Sequence, residues 1–292
     1  MIHAGDPAMP RRGPKLARKL GRKLRLPAAY LRSWRAARAA HDSFADLERF
    51  CLFVGYPRSG HSLVGSLLDA HAEMIIAHEL HVLRYLRYGF SREQIFALLL
   101  ERSRAQAEAG RAATGYSYVV PNQWQGRFRR LRVIGDKRGG TSIRKLTSRP
   151  HLLPRLRARI GLPLCFVHVV RNPFDNVATI WRRSRSRDLA SSIDHYFQMV
   201  AGVERLRAQL APGDVLDVRH EDLLDDPSRE LLRLCAFLGV EAHGDWLRDC
   251  ASIVWRSPKR TRDEVEWPDA ARERVAKEAE RVPFLAGYSF ER

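Results

Sequence analysis

The sequence lacks any apolar run of the roughly 18 to 20 residues that a membrane-spanning helix needs, and it lacks CxxC pairs. Its four cysteines are isolated, and two of them lie inside apolar runs typical of buried strands, which predicts reduced structural thiols in a cytosolic protein. Hydrophobic residues make up 45% and charged residues 29% of the 292 positions, which excludes a membrane bundle and a fully disordered chain. This length favours one large α/β domain with a tail.

Acidic residues are scarce near the amino terminus. Residues 1–40 hold eleven Lys and Arg but one acid, Asp6, in a chain with a formal net charge of +18. Three leucines at helical spacing lie among these bases: Leu16, Leu20 and Leu24. Because Pro27 follows them, we expect either a basic amphipathic helix that Pro27 interrupts or a solvated, partly disordered arm.

The charge pattern divides the chain into two parts. We expect residues 1–45 to form a basic arm and residues 46–292 to form one domain. No apolar h-region follows the basic residues, so the sequence predicts no secretory signal and a cytoplasmic protein. The basic arm predicts peripheral contact with an anionic membrane, and no specific nucleic-acid partner is expected.

Apolar runs of five to eight residues alternate with helical patterns through the remainder of the chain. This alternation is typical of a three-layer α/β fold with a central, mostly parallel sheet flanked by helices. The predicted strands are 50–55, 73–77, 132–135, 163–170 and 214–219. The predicted helices are 61–70, 79–88, 91–109, 173–185, 189–210, 227–238 and 268–280.

The turn after the first predicted strand reads GYPRSGHS, residues 55–62. It differs from the phosphate-binding pattern of Gly, four residues, Gly, Lys and Ser or Thr, because His61 stands at the lysine position. Backbone N–H groups and the dipole of the following helix still favour an anion there, and Arg58 supplies a positive charge. A nucleoside triphosphatase also needs that lysine and an acid that holds Mg²⁺, and no Asp follows a fully apolar strand.

A second motif, RNPFDNVAT, occupies residues 171–179. Arg171 lies at the carboxyl end of the most apolar predicted strand, and Asn172 and Pro173 are typical of a helix start. Ligands of open α/β sheets bind beyond the carboxyl ends of the strands. Thr179, about two helical turns after Arg171, can place its hydroxyl beside the same ligand. Two anion sites at two strand ends predict a ligand with two separated phosphate-type groups.

Together, YPRSGHS and RNPFDNVAT resemble the nucleotide-binding signature of sulfotransferases that use 3′-phosphoadenosine 5′-phosphosulfate (PAPS). Residues 217–240 are similar to the strand and helix that follow in these enzymes, and the resemblance covers about residues 50–240. It implies a P-loop-like fold and a sulfonate donor that needs no metal. It implies contacts with the 5′-phosphosulfate from Arg58, Ser59, Gly60, His61 and Ser62. It also implies that Arg171 and Thr179 hold the 3′-phosphate.

The catalytic step needs a base for the acceptor hydroxyl and cations for the developing charge. Glu79 in AHELH and Lys137 in VIGDKRGG resemble the base and the sulfonate-stabilising lysine of the branch that includes tyrosylprotein sulfotransferases. The residues alone leave an alternative for each, a first helical turn for Glu79 and an exposed loop for Lys137. His78 and His81 are the reserve bases, and no metal site is expected because two further ligands are missing.

The acceptor is expected to be a hydroxyl compound: a carbohydrate, a lipid, a small molecule or a peptide. A late basic segment contains three candidates for closing over the nucleotide: Ser257, Lys259 and Arg260. Two other functions stay open from the residues. The first is a P-loop kinase or NTPase with a degenerate loop, which would require Mg²⁺ and ATP. The second is a non-enzymatic protein that binds polyanions or membranes through residues 1–40.

Overall fold

The computed structural model describes residues 26–113, 115–184, 187–255 and 260–291. The helices are α1 (Leu26–Ala39), α2 (His61–Asp69), α3 (Val82–Arg87), α4 (Arg92–Glu108), α5 (Gly139–Ser148), α6 (Leu152–Ile160), α7 (Pro173–Arg183), α8 (Leu189–Arg207), α9 (His220–Asp225), α10 (Pro227–Leu238), α11 (Gly244–Ser252) and α12 (Asp269–Glu280). The strands are β1 (Arg49–Val54), β2 (Met74–His78), β3 (Ala112–Ala113), β4 (Tyr116–Ser117), β5 (Val133–Lys137), β6 (Leu164–Val170) and β7 (Val215–Arg219). Short 3₁₀ turns lie between them, one of which covers Thr261–Glu264.

Five of these strands form the central sheet, in the order β2-β5-β1-β6-β7. Every neighbouring pair in this sheet is parallel. A separate two-stranded antiparallel hairpin joins β3 to β4. The parallel order brings the carboxyl ends of β1, β2, β5 and β6 to one edge, where loops after each strand can meet. The predicted α/β fold with a mostly parallel sheet is confirmed.

The two faces of the sheet are both covered, because alternate residues of a strand point to opposite faces. On β1, Phe50 and Leu52 pack in one core cluster with α4, α6 and α8. Cys51 and Phe53 pack in the other with α2, α10 and α11. From Phe50 to Val54, β1 is therefore apolar throughout rather than alternating, which is typical of a strand buried on both faces. All four cysteines are buried free thiols.

All five predicted strands of the sheet form, each within two residues of the predicted bounds. The predicted helix over 79–88 is wrong at its start, because α3 begins only at Val82. Glu79 has a φ of +58° and His81 a φ of +80°, so neither residue is helical.

Several helices lie where none was predicted: α1, α5, α6, α9 and α11. Gly139 and Gly140 open α5, and Pro154 lies within α6, so their composition is typical of loops.

The basic arm is described only in part. Residues 1–25, with the predicted helix around Leu16, Leu20 and Leu24, lie outside the described residues. Pro27 lies in the first turn of α1, where proline is tolerated, and the expectation that it interrupts a preceding helix stays a prediction. The division at residue 45 stays a prediction. In the described part of the chain, no helix is both long and apolar enough to cross a membrane.

Candidate active site

A cleft of about 990 Å³ opens at the carboxyl edge of the sheet. Its walls contain most of the residues predicted for the site: Arg58, Gly60, His61, Ser62, Glu79, Lys137, Arg171 and Thr179. These residues follow four different strands, so the parallel order of the sheet is what brings them together. Ser59 does not line the cleft. Its side chain is fully buried, and its hydroxyl donates to the Tyr56 carbonyl at 3.1 Å.

The loop after β1 is shaped for an anion. Gly60 has a φ of +96°, which favours glycine, and Arg58 adopts a φ of +74°. α2 begins directly after Gly60, and the first N–H groups of a helix have no partner within that helix. Those N–H groups and the helix dipole favour a phosphate or sulfonate at the open end of the loop. The Arg171 guanidinium donates to the Arg58 carbonyl at 3.3 Å, which ties the loop to β6.

His61 occupies the loop position where a lysine was expected, and its ring turns inward. Nε2 lies 3.0 Å from the Val54 carbonyl, so the ring donates to the end of β1. Burial lowers the pKa of His61 to about 3, so the imidazole is neutral at physiological pH. The side chain therefore stabilises the inside of the loop. Only the backbone N–H of His61 remains for a ligand at the first helical turn.

The cation that the loop lacks comes from the neighbouring strand. The Lys137 ammonium, at the end of β5, lies 3.0 Å from Ser62 Oγ and 3.3 Å from Glu79 Oε1. Lys137 is only 3% exposed, and its stem passes beneath α2 at Gly65, where a Cβ would lie 2.6 Å from Lys137 Cγ. Gly65 therefore makes room for the lysine. Burial lowers the pKa of Lys137 below its ordinary value, although the Glu79 carboxylate opposes this shift.

Glu79 lies in the short loop between β2 and α3, opposite Lys137. Its carboxylate also pairs with Arg138, at 3.2 Å, and the side chain is 46% exposed to the cleft. Partial burial raises the pKa of Glu79, but the positive charges of Lys137 and Arg138 outweigh it and hold the pKa below its ordinary value. Glu79 is therefore an ionised carboxylate at neutral pH, which is the form that accepts a proton.

Asp136 holds the loop that carries Glu79. This residue of β5 is 1% exposed, and its carboxylate accepts the N–H groups of Leu80, His81 and Val82 at 3.0, 2.8 and 2.9 Å. These bonds stabilise the left-handed backbone at Glu79, which would otherwise cost free energy. Sequence reasoning missed Asp136, although the Asp-Lys-Arg run at the end of β5 was visible.

The reserve bases His78 and His81 flank Glu79. Burial, together with nearby cations, lowers the pKa of His78 to about 4 and that of His81 to about 3. Both imidazoles are therefore neutral at physiological pH. Among the described residues, no group of three or more His, Cys, Asp or Glu side chains is arranged to hold a metal ion.

The position predicted for the second anion lies where β6 joins α7. Arg171 lines the cleft there, with its guanidinium 3.8 Å from Asp175 Oδ2. The Thr179 hydroxyl lines the same wall and donates to the Asp175 carbonyl at 2.8 Å. Asp175 also accepts the backbone N–H and the guanidinium of Arg262, at 2.9 and 3.3 Å. The Asp175 carboxylate therefore connects Arg171, at the end of β6, with Arg262, in the 3₁₀ turn over Thr261–Glu264.

The late segment is only partly described. Ser257 and Lys259 lie outside the described residues, and Arg260 pairs with Asp263 at 2.9 Å. Thr261 lines the cleft, and Arg262 is 4% exposed. Sequence reasoning missed both residues, although the basic run that continues through them was a signal.

The comparison with protein families agrees with this geometry. The sulfotransferase family model matches residues 52–244, about two thirds of the chain. The chain belongs to the sulfotransferase family.

Two solved structures resemble this sulfotransferase. The sulfotransferase domain from the curacin biosynthetic pathway is 15% identical with a TM-score of 0.51, and the match covers 80% of this chain and 97% of that one. The sulfotransferase domain from the Synechococcus PCC 7002 olefin synthase is 19% identical with a TM-score of 0.50, and the match covers 81% and 94%. At these identities the likeness shows a shared fold. No curated protein sequence matches the chain.

One further residue of this sulfotransferase lines the cleft but was not singled out from the sequence. The His220 ring, at the start of α9, lies against the loop, and a Cβ on Gly60 would lie 2.5 Å from its Nδ1. Burial lowers the pKa of His220 to about 3, so the ring is neutral. Glycine at position 60 is required both by this close approach and by the positive φ. The motif RHEDLL contains His220, so the signal lay in a segment that already resembled the family.

Proposed function

We propose that this sulfotransferase moves a sulfonate group from PAPS to a hydroxyl acceptor, with Glu79 as the general base. The observation that carries the proposal is the contact of Lys137 with both Ser62 and Glu79 in the cleft that also contains Arg58. This arrangement places a carboxylate and two cations beside an anion-binding helix start. A base and cations at one reacting centre are what hydroxyl sulfonation needs.

The residues present fit the proposed donor. The loop after β1 and the start of α2 favour the 5′-phosphosulfate, with Arg58, Gly60, Ser62 and the backbone of His61 as its contacts. Ser59 contributes through its backbone, because its hydroxyl is used inside the loop. Arg171 and Thr179 share the wall at the end of β6 and would hold the 3′-phosphate. The two positions follow adjacent strands, as two anionic ends of one nucleotide require.

Three side chains have separate roles in the proposed reaction: Glu79, Arg58 and Lys137. PAPS supplies the sulfonate and leaves as adenosine 3′,5′-bisphosphate. Glu79 takes the proton of the acceptor hydroxyl as the oxygen forms its bond to sulfur, and the bond from sulfur to the 5′-phosphate oxygen breaks. Arg58 and Lys137 offset the negative charge that builds on the sulfonate and on the departing oxygen. Lys137 contacts Glu79 in the free protein, so a donor that attracts Lys137 weakens this ion pair and makes Glu79 a stronger base.

The geometry argues against the kinase alternative. His61 cannot replace the lysine of an ATP-binding loop, because its neutral ring is turned towards Val54. Asp136 is the buried carboxylate at the carboxyl edge of β5, and its oxygens accept three backbone N–H groups instead of facing a metal. The described site therefore lacks the loop lysine and the metal-binding carboxylate that phosphoryl transfer from Mg-ATP needs.

The acceptor side of the cleft is basic. β5 and β2 lie on the side of β1 opposite to β6, so an acceptor approaches Glu79 over Arg138 and the start of α5. Arg144, an exposed residue of α5, lines this side. Over the whole cleft, Glu79 is the one acid among the described lining residues, and seven are Lys or Arg, three of which are assigned to the donor. We infer an acceptor that carries an anionic group near its hydroxyl.

The proposal is tested by the release of adenosine 3′,5′-bisphosphate from PAPS without added metal, with phenyl glucuronide and phenyl glucoside as matched acceptors. We expect the carboxylate-bearing sugar to react faster and Lys137→Met to lose the activity. Lys277→Met, in α12 and outside the cleft, is the control and should retain it. A dependence on Mg²⁺, or full activity of Lys137→Met, would contradict the proposed mechanism. Preference for the glucoside would contradict the inference about the acceptor alone.

A further inference from the structure

α1 is attached to the domain by small residues and hydrogen bonds. Its buried residues are Ser33 and Ala37, which face α4. The Gln94 side chain of α4 donates to the Tyr30 carbonyl at 3.0 Å and to Ser33 Oγ at 3.2 Å. Tyr30 also packs edge-on against Phe90, with the ring centroids 5.1 Å apart. These contacts fix which face of α1 points away from the protein.

The outward face carries large apolar side chains, the reverse of an ordinary surface helix. Leu31 is 63% and Trp34 is 49% exposed. At 3.6 residues per turn, these two residues share an arc of about 100° with Arg35 and Arg38. The Arg38 guanidinium lies 5.0 Å from the centre of the Trp34 ring. Leucine and tryptophan therefore lie beside two arginines on one exposed stripe, which we call the α1 outer face (Leu31, Trp34, Arg35 and Arg38).

The α1 outer face itself carries only positive charge, and Glu101 of α4 pairs with Arg32, which is not part of this face. α1 contains no acid, and within the described chain Arg35 and Arg38 form no ion pair. Residues 11–25, which lead into α1, hold eight Lys and Arg and no acid. The α1 outer face thus combines two arginines with an exposed leucine and an exposed tryptophan.

We propose that the α1 outer face binds the surface of an anionic lipid bilayer. Arginine and lysine are attracted to anionic headgroups, and tryptophan and leucine gain free energy by entering the boundary between headgroups and acyl chains. A nucleic acid or an acidic polysaccharide would use the arginines but would leave Leu31 in water. The exposed leucine is therefore what favours a bilayer over a soluble polyanion. This proposal does not depend on the reaction that the cleft performs.

The test is cosedimentation of the full chain with vesicles of phosphatidylcholine alone or mixed with phosphatidylglycerol. We expect binding to the anionic vesicles, with a shift of tryptophan emission to shorter wavelength that is absent from Trp34→Ala. The double variant Leu31→Ala with Trp34→Ala should weaken this binding by about tenfold or more, because it removes the apolar part of the contact. Leu232→Ala is the matched control, since Leu232 is 49% exposed on α10, and it should bind as the parent does.

Each other outcome would overturn the proposal. Equal vesicle binding by the double variant and the parent would mean that the positive charge of the basic arm alone attracts the anionic lipids, without the α1 outer face. No binding to anionic vesicles, or binding to heparin and DNA alone, would indicate a soluble polyanion. Circular dichroism spectra of the parent and the double variant check that the substitutions leave the fold intact. Both substituted side chains are exposed, so we expect the two spectra to coincide.

Discussion

The ammonium of Lys137 connects Ser62, on the first turn of α2, with Glu79, in the loop after β2. These two contacts join three segments of the chain, and they place a cation beside the loop, which has His61 instead of lysine. The ion pair keeps Glu79 ionised in the free protein, and a bound anion that attracts Lys137 would raise the basicity of Glu79. The predictions below follow from this relationship and from the structure around it.

Replacing Glu79 by Gln removes the proposed base but keeps the size of the side chain. We expect kcat to fall by about 10²- to 10⁴-fold, the usual effect of losing a general base. Binding of adenosine 3′,5′-bisphosphate should be unchanged or tighter, because Lys137 loses its competing anion. Steady-state kinetics and calorimetric titration measure the two effects. Glu93→Gln, at the start of α4, is the control, and an equal loss there would indicate general damage.

The pH dependence of kcat/KM should carry the signature of Glu79. Its pKa is held below the ordinary value, so activity should be constant through neutral pH and decrease only when the carboxylate is protonated in acid. Arg138→Ala removes one of the cations that lower this pKa, so the acidic decrease should move to higher pH. Arg149→Ala, which ends α5 without contacting Glu79, should leave the profile in place. A profile that Arg138→Ala does not move would exclude Glu79 as the titrating group.

Gly65→Ala should displace Lys137 without changing any charged residue. The added Cβ would lie 2.6 Å from Lys137 Cγ, so the lysine stem must shift. We expect a loss of kcat of at least tenfold while the circular dichroism spectrum stays that of the folded protein. Gly213→Ala is the control, because nothing lies within 4 Å of a Cβ there. Normal turnover by Gly65→Ala would mean that the position of Lys137 is unimportant.

The buried ion pair between Arg111 and Asp69 is expected to matter for stability and not for chemistry. Both side chains are almost fully buried, and Asp69 also accepts bonds from Ser103 and the N–H of Ile76. Arg111→Met leaves a buried carboxylate without its cation, so urea denaturation should show a free energy of unfolding lower by about 3–5 kcal/mol. Arg32→Met breaks an exposed pair with Glu101 and should cost less than about 1 kcal/mol. Similar losses for the two variants would contradict this distinction.

The sequence predicted the sheet well because β1, β2 and β6 are mostly apolar runs and because glycine follows β1 and arginine follows β6. The predicted site residues Arg58, Glu79, Lys137 and Arg171 lie in one cleft, because the parallel order places the carboxyl ends of their strands at one edge of the sheet. The sequence could not show that the His61 ring turns inward, because that depends on the position of the Val54 carbonyl. Asp136 was missed for a similar reason. Its bonds to the loop of Glu79 join segments that are more than fifty residues apart in the chain.

The measurement that tests the account most directly is calorimetric titration with adenosine 3′,5′-bisphosphate, 5′-AMP and ATP, each with and without Mg²⁺. The account predicts metal-independent binding of the bisphosphate, tighter than that of 5′-AMP. In Arg171→Ala this preference should be lost, because we propose that the guanidinium at the end of β6 holds the 3′-phosphate. Arg155→Ala, at an exposed position of α6, should keep the preference. Tighter binding of Mg-ATP, or a preference unchanged in Arg171→Ala, would contradict the account.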